Sequence, residues 1–163
     1  MENRERVALF AGSFDPFTLG HAAIVESALR IADRVVVGVG SNISKRCLLS
    51  PSQRKGLIEE YYANEPRVSV ATYNSLTGYF AREVGATLLV RGVRNSIDLE
   101  AERTLEAVNR GLYPELQTVM LFTPAQLAHI SSSCVRELLA FGESVDALMP
   151  EGVDIYKYIN LEQ

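Results

Sequence analysis

Two rhythms of apolar residues alternate along this chain. Five short runs are apolar at nearly every position and rich in Val and Leu, over 6–11, 34–40, 67–72, 87–90 and 118–122. Runs of this kind predict strands of a parallel sheet covered on both faces. Between and after them apolar residues recur at helical spacing. That spacing predicts helices over about 20–32, 51–63, 76–84, 96–112, 132–141 and 152–160. Ser50-Pro51-Ser52-Gln53 offers an N-cap, a proline at the first helical position and a Gln to close a capping box. Gly85 and Gly142 stand where helices should stop. Strict alternation of strand and helix implies right-handed βαβ units. The expected fold is α/β: a Rossmann-like, doubly wound, five-stranded parallel sheet with helices on both faces. Residues 1–163 read as a single domain, with no internal repeat, low-complexity tract or linker.

Composition narrows the function more than the fold. The chain has 163 residues, long enough for one real core, and is 47% hydrophobic and 22% charged, as soluble globular proteins are. Its formal net charge of −4 argues against non-specific nucleic-acid binding, which needs a basic footprint. Any anionic ligand must therefore meet clustered basic residues. Cys47 and Cys134 lack metal-ligand spacing and read as free thiols of a reducing compartment. No apolar run reaches membrane-spanning length, and the polar start Met-Glu-Asn-Arg-Glu-Arg leads straight into the first strand. The expectation is a cytoplasmic protein without a membrane partner.

The richest chemistry lies in Phe10-Ala-Gly-Ser-Phe-Asp-Pro-Phe-Thr-Leu-Gly-His21. It reads as a strand, a Gly-containing turn and a helix with His21 in its first turn. Backbone N–H groups of such a turn, and the helix N-terminus, favour a phosphate. The spacing is neither G-x-G-x-x-G nor G-x-x-x-x-G-K-[ST], so the common dinucleotide and P-loop readings do not apply. Thr18-Leu19-Gly20-His21 fits the (T/H)-x-G-H signature of nucleotidyltransferases, although four residues alone would better suit a capped helix with a surface histidine, and the flanking Gly-Ser-Phe-Asp-Pro and downstream segments shift that balance.

In open parallel sheets ligands bind beyond the carboxyl ends of the strands. Gly12, Ser13 and His21 follow the first strand, Ser41 to Arg46 the second, Arg91-Gly92-Val93-Arg94 the fourth, and Thr123-Pro124 with Ile130-Ser131-Ser132-Ser133 the fifth. Lys45 could neutralise a transferring phosphoryl group, or be a solvated loop lysine. Arg91 could bind phosphate through two parallel hydrogen bonds, or pair with one of the following carboxylates. Those are Asp98, Glu100, Glu102 and Glu106, like-charge neighbours on one predicted helix that Arg94, Arg103 and Arg110 would offset. They read as a solvated acidic face or a subunit contact rather than a metal site. The three serines could be helix caps or a phosphate clamp. No Asp–His pair is placed to activate them, and His129 reads as a neighbour rather than a catalyst.

With these segments in order the chain resembles the bacterial phosphopantetheine adenylyltransferases of the nucleotidyltransferase superfamily. The resemblance rests on Gly12-Ser13-Phe14-Asp15-Pro16, Thr18-Leu19-Gly20-His21, Ser44-Lys45, Leu89 to Arg94, Asp98-Leu99-Glu100, Asn109-Arg110, Pro114-Glu115-Leu116 and Ile130 to Ser133. It implies adenylyl transfer from ATP to 4′-phosphopantetheine, yielding dephospho-coenzyme A and pyrophosphate, the penultimate step of coenzyme A synthesis. It implies Mg²⁺ held mainly by the ATP phosphates, with no metal-ligating residue of the protein. It implies His21, Lys45 and Arg91 as the catalytic residues, with His21 at the α-phosphate. Ser13, Lys45, Thr77 and Arg91 would hold the acceptor. Ser13, Phe14, His21, Gly92, Val93, Arg94 and Glu102 would meet ATP, as would Leu127, Ala128, His129, Ile130, Ser131, Ser132 and Ser133. It further implies a homohexamer, a dimer of trimers, and feedback inhibition by coenzyme A. Ala11 stands where the family has Pro, Ser13 where it has Thr, and Ala101 where it has an aromatic; Ser75 and Thr77 are smaller or more polar than is common. The alternatives are the same fold acting as an adenylyl- or cytidylyltransferase on another acceptor, such as nicotinamide mononucleotide, and a non-catalytic nucleotide or coenzyme A sensor.

Overall fold

The computed structural model describes residues 5–41, 44 and 46–159. Five strands alternate with helices: β1 (Val7–Gly12), α1 (Leu19–Ala28), β2 (Arg34–Gly40), α2 (Pro51–Tyr61), β3 (Val68–Tyr73), α3 (Thr77–Glu83), β4 (Leu88–Val93), α4 (Ser96–Leu112) and β5 (Gln117–Phe122). Helices α5 (Ser132–Ala140) and α6 (Tyr156–Ile159) follow. All neighbouring strands are parallel, in the order β3-β2-β1-β4-β5. The chain winds outward from β1 to β3, then returns to lay β4 against the other side of β1. The switch point between β1 and β4, with Ala8 opposite Leu88 and Phe10 opposite Val90, is where such sheets open a ligand crevice.

Successive strand residues face opposite sides, so β1 feeds two cores. Ala8 and Phe10 join Ile24, Val25 and Ala28 of α1, Leu57 and Ile58 of α2, and Val135 of α5. Val7, Leu9 and Ala11 join Phe80 and Ala81 of α3, with Tyr113 and Leu116 ahead of β5. This is the doubly wound arrangement that the alternation predicts. Burial on both faces holds for β1 and β2, whereas β3 and β5 are edges with exposed positions.

Local signals set most boundaries. The Ser50 hydroxyl accepts the Gln53 N–H while the Gln53 side chain accepts the Ser50 N–H, closing the capping box with Pro51 at the first helical position. Gly85 and Gly142 have φ of 70° and 76° and stop α3 and α5. Each heads a paired closure, Ala86 N–H to Ala81 with Gly85 N–H to Arg82, and Glu143 N–H to Leu138 with Gly142 N–H to Leu139.

Three expected boundaries move by three residues or more. The strand expected over 87–90 runs on to Val93, because the charge on Arg91 is met by partners from elsewhere in the fold. The first helix ends at Ala28, and Arg30 and Ile31 close three-residue turns onto Ser27 and Ala28. Of the helix expected over 152–160, α6 alone forms: Gly152 has φ 81°, and the Asp154 carboxylate accepts the Tyr156 N–H. Helix α4 spans 96–112 as expected, yet none of its residues is buried. Its apolar stripe of Ile97, Leu105, Val108 and Leu112 follows helical spacing and is exposed.

Candidate active site

A cleft of about 290 Å³ opens at the switch point. The β1–α1 turn contributes Gly12, Ser13 and Phe14, the start of α1 contributes Gly20 and His21, and β4 contributes Arg91 and Gly92. Arg94 and the α4 residues Asp98 and Glu102 form one wall, and Ile130 to Ser133 at the start of α5 form another. Phe14 takes a left-handed φ of 50° within the turn. Gly92 lets β4 approach α1, since a Cβ there would lie 3.1 Å from Ile24.

His21 is the third residue of α1, and its ring closes the helix start. Its Nδ1 accepts the Thr18 backbone N–H at 3.0 Å and lies 3.1 Å from the Thr18 hydroxyl. A backbone N–H can only donate, so Nδ1 is unprotonated and Nε2 carries the ring proton. The ring is enclosed by Phe10, Phe14 and Phe17, with centroids 6.2, 5.1 and 5.4 Å away. Removal from water, then the charge of Arg94, pushes its pKa down to about 4. At neutral pH it is an uncharged imidazole whose Nε2–H has no hydrogen-bond partner among the described residues. It can donate to an anion without bringing a proton of its own charge state into play.

Two arginine–carboxylate pairs line the same cleft. Arg91 donates from Nε and Nη2 to the two Glu102 oxygens at 2.6 and 2.7 Å, and from Nη1 to the Ala11 carbonyl at 2.7 Å. Arg94 donates to both oxygens of Asp98 at 2.9 and 3.1 Å. The Arg94 side chain beside Asp98 holds that carboxyl below its ordinary range, and Asp98 raises Arg94 in turn. Three of the four acidic residues named on α4 are therefore tied to arginines, since Glu106 also pairs with Arg110, through one oxygen. Arg91 forms the carboxylate pair and keeps two N–H donors unspent.

The serines at the head of α5 divide their work. The Ser131 hydroxyl caps the helix by accepting the Cys134 N–H at 3.1 Å. Ser132 donates to the Pro16 carbonyl at 2.8 Å, which fixes α5 to the β1–α1 turn. Ser133 accepts from Arg136, whose guanidinium also donates to the Asp15 carbonyl at 2.6 Å. Only Ser132 spends its hydroxyl hydrogen; Ser131 and Ser133 accept and keep theirs, so α5 offers an anion those two O–H groups together with its first N–H groups.

Among the residues singled out from the sequence, Ser13, Phe14, His21, Arg91, Gly92, Arg94, Glu102, Ile130, Ser131, Ser132 and Ser133 meet in this cleft. Thr77 lines a neighbouring cavity that shares Arg91 and Glu102 and continues along α4 to Tyr113. Val93 is fully buried in the sheet. Leu127 borders a separate groove beside α1, Ala128 is half-buried, and His129 is exposed. Lys45 lies outside the described residues. Thr123 lines the cleft from the end of β5, where the topology rule puts ligands, and Asp98 lines it where the sequence reads a solvated acidic face or subunit contact; Arg136 and Arg54, whose guanidinium sits behind the turn, carry no sequence signal for the site. Only burial in the folded chain distinguishes Arg54 from an ordinary helix cation.

Three comparisons place this geometry among known proteins. The profile of the cytidylyltransferase-like family matches residues 9–138. A phosphopantetheine adenylyltransferase of Porphyromonas gingivalis is 50% identical over 149 residues, covering 91% of this chain and 97% of that protein. One of Phocaeicola vulgatus is 45% identical over 150 residues, covering 92% and 99%. Among solved structures, a bifunctional NMN adenylyltransferase/ADP ribose pyrophosphatase from Francisella tularensis superposes with a TM-score of 0.66 at 16% identity. That match covers 95% of this chain and 48% of the other, about half of its length, and at that identity it speaks for the fold alone.

Proposed function

The chain belongs to the cytidylyltransferase-like family, and within it to the phosphopantetheine adenylyltransferases, and we propose that it transfers the adenylyl group of ATP to 4′-phosphopantetheine. The products are dephospho-coenzyme A and pyrophosphate. An oxygen of the acceptor phosphate forms a bond to the α-phosphorus of ATP. The bond from that phosphorus to the pyrophosphate oxygen breaks, and pyrophosphate leaves with the electron pair. The acceptor is already an anionic nucleophile, so no serine or cysteine needs activation. The protein has to align the partners and stabilise charge on the α-phosphoryl oxygens.

The observation that carries this reading is the meeting of two helix N-termini, α1 and α5, with the neutral His21, on one cleft at the switch point. His21 would donate its Nε2–H to the α-phosphoryl oxygens. The turn Ser13–Phe14, Gly92, Arg94 and the head of α5 would take the nucleotide. Arg91 would face the acceptor phosphate, with Lys45 and Ser13, while the cavity of Thr77 takes the pantetheine arm. Mg²⁺ would ride on the ATP phosphates: among the described residues no cluster of three His, Cys, Asp or Glu could hold a metal, and Asp98 and Glu102 are bound to arginines. When bound, it supplies neutralisation of phosphate charge.

The remaining parts of the reading are an assembly, a regulator and a place. The exposed stripe on α4 supports contact with further copies of the chain in a homohexamer, a dimer of trimers. Coenzyme A, which carries the product's own groups, would inhibit from the same site. Among the described residues no helix is long and apolar enough to cross a membrane, and a cytoplasmic location fits the free thiols Cys47 and Cys134. One sheet with a core on each face supports a single domain over 1–163.

The deciding experiment measures pyrophosphate release from ATP and Mg²⁺ with 4′-phosphopantetheine, with nicotinamide mononucleotide, and with no acceptor. Release with 4′-phosphopantetheine alone, and dephospho-coenzyme A as product, is expected. Release only with the mononucleotide would overturn the acceptor. ATP binding without release in any arm would leave a sensor.

A further inference from the structure

Arg54 occupies the first turn of α2 and is 2% exposed. Its Nε donates to the Leu49 carbonyl at 3.1 Å, and its Nη1 donates to the carbonyls of Gly40 at 3.0 Å and Ser13 at 2.5 Å. One guanidinium thus joins the end of β2, the segment ahead of α2 and the β1–α1 turn. Among the described residues it enters no ion pair; the buried Asp15 carboxylate beside this hub is taken by the N–H groups of Leu48 and Leu49, each at 2.8 Å.

For stability alone the position is poorly chosen. A buried charge without a counter-ion is costly, and a cation in the first turn of a helix opposes the helix dipole. The compensation lies on the other side of the turn. Ser13, Gly12 and Phe14 line the cleft, and the Ser13 carbonyl points to Arg54. In a planar trans peptide the N–H of the next residue points the opposite way from the carbonyl, so Arg54 fixes the direction of the Phe14 N–H. The left-handed Phe14 belongs to the kind of turn whose N–H groups form an anion-binding concavity. A buried positive charge behind such a turn also acts through low-dielectric protein on an anion in front of it.

We propose that Arg54 is a positioning residue for adenylyl transfer: it orients the Ser13–Phe14 peptide and lends its charge to the phosphate chain of the nucleotide. This rests on reading the cleft as an ATP site. It acts on phosphates and not on the base, which separates it from a purely structural tie.

The test is calorimetric binding of ATP and of adenosine, with kcat for dephospho-coenzyme A formation, in wild type, Arg54→Gln and Arg54→Lys, each kept well below its melting temperature. Arg54→Gln should weaken ATP by about tenfold and lower kcat by at least as much, with adenosine within about twofold. Arg54→Lys, which keeps the charge and loses the fork, should lose about threefold on ATP alone. Equal losses on ATP and adenosine, or none on ATP, overturn the proposal. Should Arg54→Gln not fold, an Arg54→Lys variant within about twofold of wild type in both ATP affinity and kcat overturns it equally. A wild type that binds ATP yet forms no dephospho-coenzyme A would refute the acceptor assignment and leave the comparison of ATP with adenosine standing.

Discussion

Glu102 grips Arg91 side-on, its two oxygens taking Nε and Nη2 at 2.6 and 2.7 Å while Nη1 reaches the Ala11 carbonyl. A guanidinium has five N–H donors, and three are used here, leaving two for a phosphate. The carboxylate cancels charge, but it also holds the fork still, so Glu102 acts through Arg91.

Glu102→Gln should therefore lower kcat by about tenfold through loss of orientation, while the KM for ATP rises no more than about twofold. Steady-state kinetics with both substrates varied checks this. The opposite split, a raised KM for ATP with kcat intact, would make Glu102 a nucleotide contact, as the family resemblance implies.

His21→Ala should lower kcat by about 10²–10³-fold with little change in the KM for ATP, the signature of a donor used in the transition state. The low pKa adds a stability consequence. Folded His21 takes up its proton near pH 4, against 6.5 for the unfolded group. Between those values the unfolded chain binds more protons, so the histidine's contribution to stability is whole above about pH 6.5 and drains away as pH falls toward 4. Melting temperature should drop over that window in wild type and drop less in His21→Asn. Parallel curves would show that the imidazole is not held neutral by the fold.

Gly78 carries a constraint of space. A Cβ there would collide with the ring of Tyr113, which the Arg82 guanidinium covers at 4.9 Å and Tyr79 meets at 5.6 Å. Gly78→Ala should destabilise the protein by about 1–3 kcal/mol, lowering Tm by several degrees. Tyr113 also lines the cavity of Thr77, so the KM for 4′-phosphopantetheine should rise while that for ATP holds. Melting curves and paired KM measurements test both halves.

Much of this site could be read from residue order. The topology rule put the β1 and β4 ends and the head of α5 on one edge, because it depends only on strand direction. The caps of α2, α3 and α5 were legible because capping is local, set within a few residues. What escaped the sequence depends on distant partners. Arg91 marked an end to β4 by its charge, yet Glu102 lets the strand pass through it. The serines suggested hydroxyl donors, and Ser132 instead spends its hydroxyl on Pro16, far away in the chain. Arg54 carries no local signal, because its place is set by three carbonyls that only the fold brings together.

The stripe on α4 predicts an assembly. Ile97 is 79% exposed, and Leu105, Val108 and Leu112 continue its line without burying a side chain in this chain. Ile97→Asp should leave the Tm of the isolated chain nearly unchanged and shift sedimentation from hexamer to smaller species. A wild type that sediments as a monomer would reject the assembly.

Removing the metal separates two kinds of Mg²⁺ site. The carboxylates that reach the cleft, Asp98 and Glu102, are each held by two hydrogen bonds from an arginine side chain, and among the described residues no three metal-binding side chains come together. Mg²⁺ also sheds its water reluctantly and prefers to bridge phosphates. A chelator should therefore abolish pyrophosphate release while leaving the melting temperature of the free protein within about 1 °C, since an ion that does not bind the folded chain cannot stabilise it. Mg²⁺ alone should likewise leave Tm unmoved, and Mg²⁺ with ATP should raise it more than ATP alone. A rise of several degrees with Mg²⁺ in the absence of nucleotide would mean that the protein itself carries the ion, and the arginine–carboxylate pairs would then have to open to receive it.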